Sequence, residues 1–262
     1  MTNSLMHPLL KYCALTIAAL GILVILVATF LWFKPLPNFP HDAQRDLPWQ
    51  LPDYQAAHTH MEILDDGRIK IEIEHLPLVN IEPQMVAYFY QVLPISTVQL
   101  NGELYPLYHL FHPSEHGKIE VKQAASDGAP GMAVGALVGR QEWFGKFNSK
   151  GAGRVISIDA HGMTVKPEML GLHFGQIDHI FEKTEYGTRY RVKSIIGSEL
   201  PIIGGAINYY IRHKMFNPEM LKQWLRHQVE EVSSLPFFLA ELYGQKDQVQ
   251  DNHYVLNIMN DN

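Results

Sequence analysis

Hydrophobic and polar positions divide the chain into an uncharged apolar run, a proline-rich stretch, and a remainder in which short alternating and helical patterns follow one another. The run is Tyr12 to Phe33 (YCALTIAALGILVILVATFLWF). It matches the roughly 20 apolar residues that cross a bilayer as a helix, and Trp32 and Phe33 stand where interfacial aromatics are expected. It lacks the shorter apolar core and small-residue cleavage site of a signal peptide. The pattern predicts a single-pass N-terminal membrane anchor over 12–33 with a tail at 1–11. Lys11 before the run, and Lys34 and Arg45 after it, leave the side of the membrane open. Residues 34–54 hold five prolines and no periodicity, which reads as an extended stalk.

The domain proper is expected over 55–262. Asp66-Gly67 is a turn signal, followed by Arg68-Ile-Lys-Ile-Glu-Ile-Glu74, with isoleucine on one side and charge on the other. That alternation predicts a half-exposed strand in a hairpin. Pro83 to Val92 is apolar on most sides and predicts a short buried helix. Residues 124–139 are rich in glycine and alanine and read as a mobile loop. Strands are expected around Arg154–Asp159, Phe174–Lys183 and Thr188–Ile196, the last two joined through Thr184-Glu-Tyr-Gly187. Asn217 and Pro218 signal the start of a long C-terminal helix. On it Met220, Trp224, His227 and Glu231 share a stripe. The order predicts an α+β fold, a curved antiparallel sheet gripping the C-terminal helix with a ligand cavity between them.

Composition narrows the chemistry. The 262 residues carry a net charge of -6, so no basic stripe exists to neutralise phosphates and no nucleic-acid partner is expected. The only cysteine, Cys13, lies in the apolar run, which excludes disulfides and thiolate ligands from the domain. The 14 histidines are an ample supply of neutral nitrogen ligands.

Four segments could carry chemistry. His227 and Glu231 are four apart on the apolar side of the last helix, and a buried carboxylate needs a partner, for which a divalent metal is one solution. Tyr108-His-Leu-Phe-His112-Pro-Ser-Glu115-His116 gathers histidines and an acid; Pro113 pushes His112 towards an extended backbone. The ordinary alternative is a loop with surface histidines. Glu142 is the sole acid in a small, apolar stretch, either exposed or bound to something. His173 could face the cavity or pack as a satisfied core histidine.

Together these segments resemble the diacetylphloroglucinol hydrolase family of zinc-dependent carbon–carbon hydrolases. The matching stretches are Tyr108 to His116, Phe174-Gly-Gln-Ile-Asp178-His179-Ile-Phe181-Glu-Lys-Thr184-Glu-Tyr-Gly187-Thr188-Arg189, and His227-Gln-Val-Glu230-Glu231-Val-Ser-Ser-Leu235-Pro-Phe-Phe238-Leu239, in the family's order across residues 80–245. Phe111 stands where the family more usually has Trp, and Glu115 where it has Asp or Asn. The resemblance implies a helix-grip (START-like) fold and Zn2+ held by His112, Glu142, His227 and Glu231, with His116 as the alternate histidine. It further implies a small aromatic or ketone substrate contacted by Glu115 and His116, with His173, Tyr108 or Tyr186 handling protons. The implied activity is hydrolysis of a C–C bond in an acylated phenol or similar ketone. A non-catalytic protein binding a hydrophobic ligand or lipid is the alternative.

Overall fold

The computed structural model describes residues 6–36 and 38–258, so residues 1–5 of the expected tail lie outside the described residues. The chain divides into two units, Met1–Asn38 and Phe39–Asn262. In the first, α1 runs over Met6–Phe33. Among the described residues, no helix is long and apolar enough to cross a membrane. This corrects the membrane anchor expected at 12–33, and the membrane localisation with it.

The second unit is α+β. The hairpin at Asp66-Gly67 joins β1 (His58–Ile63) to β2 (Ile69–Glu74), and Gly67 takes a φ of 83° there, a conformation open to glycine without steric cost. Ile69, Ile71 and Ile73 are buried while the charged residues between them are half-buried, as the alternation requires. β3 (Leu78–Val79) precedes α2 (Pro83–Val92), whose Pro83 sits in the first turn where a missing N–H costs nothing. Next come β4 (Thr97–Leu100), β5 (Glu103–Pro106) and α3 (Leu107–Phe111). A run of strands follows: β6 (His116–Gln123), β7 (Leu137–Phe144), β8 (Phe147–Asp159), β9 (Gly162–Met169), β10 (Leu172–His173), β11 (Gly175–Thr184) and β12 (Gly187–Ile196). α4 (Gly204–Tyr210), α5 (Pro218–Gly244) and β13 (His253–Leu256) close the chain.

The large sheet has the order β1-β2-β12-β11-β9-β8-β7-β6, antiparallel throughout, with β3 added to β12 and β10 to β9. A second sheet, β13-β4-β5, pairs β13 parallel to β4. α5 starts as expected: the Asn217 side chain accepts from the N–H groups of Glu219 (3.1 Å) and Met220 (3.0 Å). Its buried stripe, including Leu221, Trp224, Val232, Leu235 and Leu239, joins Phe89 of α2, Phe111 of α3 and the sheet isoleucines in one core. Aromatic side chains thus fill much of the space between helices and sheet.

Two stretches without regular structure are tied down. Residues 124–136 are anchored by Met132 N–H donating to the Gln91 carbonyl (3.0 Å) and by reciprocal bonds linking Gly135 and Ala136 to Val155 (2.8 and 3.0 Å). At Gly131 an added Cβ would meet the Gln91 oxygen at 1.9 Å, so the loop approaches α2 too closely for any larger residue. The proline-rich stretch lies against the domain from Phe39 onward: Phe39 and His41 meet Trp143 (ring centroids 5.3 and 4.6 Å), and Trp49 stacks on Phe237 (5.6 Å).

Candidate metal centre

The segment after α3 turns sharply. His112 has the extended backbone (φ -145°, ψ 120°) expected before Pro113, residues 113–115 form the turn, and His116 opens β6 directly opposite Glu142 on β7. α5 presents His227 and Glu231 one helical turn apart. Local turn, strand register and helical periodicity therefore bring six acidic or imidazole side chains to one buried place. The ligand atoms of His116, Glu142 and His227 lie within 4.8 Å of one another, as do those of His112, Glu115 and His227.

Hydrogen-bond partners assign the ring protons. His227 Nδ1 lies 2.9 Å from Glu115 Oε2, so it donates to that carboxylate and leaves a lone pair on Nε2. Nε2 is buried with no hydrogen-bond partner, 3.6 Å from Glu231 Oε2. His116 Nδ1 donates to the Tyr108 carbonyl (2.7 Å), leaving its Nε2 lone pair aimed at the same Glu231 oxygen from 3.1 Å. Two imidazole lone pairs converging on a carboxylate oxygen repel unless a cation or a proton sits between them. His112 is arranged the other way. Its Nδ1 accepts from the N–H groups of Ser114 (3.3 Å) and Glu115 (3.2 Å), so Nε2 donates to Glu230 Oε2 (3.1 Å). Both its nitrogens are engaged.

Surrounding groups hold this arrangement. Glu142 pairs with Arg140 and accepts from the Tyr108 hydroxyl. Arg226 bridges Glu115 and Glu230, the Gly145 N–H donates to Glu115 (2.7 Å), and Gln228 donates to Glu231 (2.7 Å). Burial, with His112 close by, holds His116 and His227 well below the usual histidine range. Burial, then the Glu142 charge, pushes Glu231 well above the carboxylate range. Four carboxylates (Glu115, Glu142, Glu230, Glu231) face two guanidiniums (Arg140, Arg226) around neutral imidazoles. With a cation bound and all four carboxylates ionised, the cluster would carry two excess negative charges, which one divalent ion would neutralise. Donor chemistry, the orphaned Nε2 and the charge balance all fit a metal.

Of the residues singled out in the sequence, Tyr108, His112, Glu115, His116, Glu142, His227 and Glu231 come together here. His173 and Tyr186 do not. His173 is exposed on β10, its Nδ1 3.7 Å from Glu168, because the strand breaks at Phe174 before β11 begins. Tyr186 is exposed in the two-residue turn between β11 and β12. A polar group not foreseen lies inside instead. Tyr190 Oη is 2.6 Å from Tyr90 Oη and 2.6 Å from His179 Nδ1, and His75 packs on the Tyr190 ring (centroids 4.7 Å). Burial, then the Glu231 charge, raises Tyr90 well above the usual tyrosine range; Tyr190 is raised by burial, then by Tyr90, with Glu231 contributing. Burial lowers His179 to about 4 and His75 to about 3. His179 alternates with Phe181 on β11 and Tyr90 lies on the buried side of α2, a periodicity that could have placed them.

No protein-family model matches the chain, and no curated protein matches it. Among solved structures it is similar to Protein Ms6760 from Mycobacterium smegmatis (14% identity, TM-score 0.38, covering 65% of this chain and 93% of that one). It is also similar to a START superfamily protein from Mycobacterium smegmatis (13%, 0.36, 63% and 98%) and to Ara h 8.0201 (13%, 0.36, 68% and 98%). None of the three bears the name of a diacetylphloroglucinol hydrolase. At these identities and TM-scores, a functional reading rests on the chain's own side chains.

Proposed function

We propose that this protein is a metal-dependent hydrolase, with a divalent ion, zinc by its N/O donor set, held by His116, His227, Glu142 and Glu231. The observation that carries the reading is the orphaned, buried His227 Nε2, aimed with His116 Nε2 at one Glu231 oxygen. Against the ligand set implied by family resemblance, His116 replaces His112, whose nitrogens are already occupied. A zinc ion in such a site supplies a nucleophile at neutral pH and polarises a carbonyl.

The chain's own groups do the rest. Glu115 fixes the His227 tautomer, and Arg226 holds Glu115 in place, the supporting pattern that metal-binding histidines require. Tyr108 keeps its proton and orients Glu142. Tyr190, backed by His179, offers a hydroxyl inside the domain for a phenol oxygen or for the ring carbon that leaves with the bonding electrons. Substrate class follows the resemblance across 80–245: an acylated phenol or related ketone, cleaved at a C–C bond. A hydrophobic-ligand carrier has no need of a buried, converging set of histidines and glutamates, so the hydrolase reading is preferred.

Elemental analysis of the purified protein after zinc loading and dialysis should give about one ion per chain, with hydrolysis of acylated phloroglucinols by the loaded protein. Glu231→Gln should lose both. Wild-type protein that retains no divalent metal would overturn the proposal.

A further inference from the structure

Residues 39–53 precede the region of family resemblance, yet they are pinned to the domain at three places. At one end the Phe39 N–H donates to Asn148 Oδ1 (3.1 Å) while Phe39 and His41 cover Trp143. At the other, Trp49 stacks on Phe237 and Phe238 of α5 (5.6 and 5.8 Å). The middle pin is Arg45. Its backbone N–H (2.9 Å) and its guanidinium Nη1 (3.3 Å) both donate to the carbonyl of Pro113. Its Nη2 lies 2.9 Å from Asp42 Oδ2 and 3.1 Å from His109 Nε2, and that ring also reaches the Gly117 carbonyl (2.7 Å).

Pro113 stands in the turn between His112 and His116. It has no N–H, so its carbonyl is its sole backbone hydrogen-bonding group. Arg45, with a side chain only 9% exposed, clasps that carbonyl, while the His109 ring lies between its guanidinium and the Gly117 carbonyl just past the turn. We propose that Arg45 is a positioning residue for the metal centre: it fixes the turn 113–115 and through it the direction in which His116 presents Nε2 to Glu231. The inference rests on the metal reading above. In this role the strap is part of the site's support, because ligand direction tolerates errors of only about half an ångström before affinity falls.

The test compares the strap's middle and far pins. Arg45→Ala should weaken zinc binding about 10-fold or more, measured by chelator competition, the range typical of lost supporting contacts at metal ligands. It should also speed amide hydrogen exchange across Ser114–Gly117. Arg45→Lys should recover part of both effects and serves as the folded variant if the alanine form misfolds. Trp49→Ala should lower thermal stability yet leave zinc affinity and exchange at 114–117 unchanged. Equal effects of Arg45→Ala and Trp49→Ala, or no effect of either, would overturn the inference. Wild-type protein that binds no zinc would sink the metal reading, and the exchange comparison would still decide whether Arg45 orders the turn.

Discussion

The two nitrogens of His227 have separate tasks. Nδ1 donates a hydrogen bond to Glu115, and Nε2 is left buried with a lone pair and no hydrogen-bond partner. The same logic divides His116 from His112, four residues apart and both buried. His116→Ala should abolish stoichiometric zinc, whereas His112→Ala, which removes the contact to Glu230 and the acceptor for the Ser114 and Glu115 N–H groups, should weaken binding by about 10-fold or less. Titration with a zinc indicator reads both; the reverse order would make His112 the ligand. Sequence spacing could not separate the two, because the choice depends on which ring nitrogen the backbone amides of Ser114 and Glu115 take up. His227 and Glu231 were legible, since helical periodicity alone puts them on one stripe. Glu142 was not legible from its surroundings: it is buried because Arg140 and Tyr108 receive it, and neither pairing leaves a mark in a local pattern.

Elements with a start signal and a clean period were readable. α2 spans the residues its apolar pattern indicates, the β11–β12 hairpin closes with Thr184 opposite Gly187, and α5 begins after Asn217. Asn217→Ala removes the acceptor for two orphan N–H groups and should cost about 1 kcal/mol in urea-unfolding stability; no change would show that the cap is redundant. β6 and β7 were harder to see. Their inward positions carry His116, Arg140 and Glu142 rather than an apolar series, so the alternation that identifies β2 is missing. The four-residue strands β4 and β13 are too short for periodicity and find their partners more than 150 residues apart. The stretch 124–136, rich in small residues, looked mobile because composition does not reveal the Gln91 and Val155 bonds that hold it.

At the scale of the whole molecule, buried histidines set the acid limit of stability. Burial lowers His75 to about 3 and His179 to about 4, against 6.5 for a free side chain. Below pH 6.5 the unfolded chain takes up protons that the folded chain refuses, so stability is present above that pH and is lost as the pH falls towards 4. Each such histidine contributes a slope of up to about 1.4 kcal/mol per pH unit. Urea titrations between pH 7 and 4.5 should show this fall, and His75→Leu should make it shallower. An unchanged slope in the variant would remove His75 as a source.

The parallel pairing of β13 with β4 ties the last strand described to one formed from residues 97–100. During synthesis β4 emerges long before β13 exists, and the turn that leads into His116 likewise precedes α5. On the metal reading, ion capture would wait until α5 has emerged, and a segment that holds the early turn in shape until then would act as a template for it.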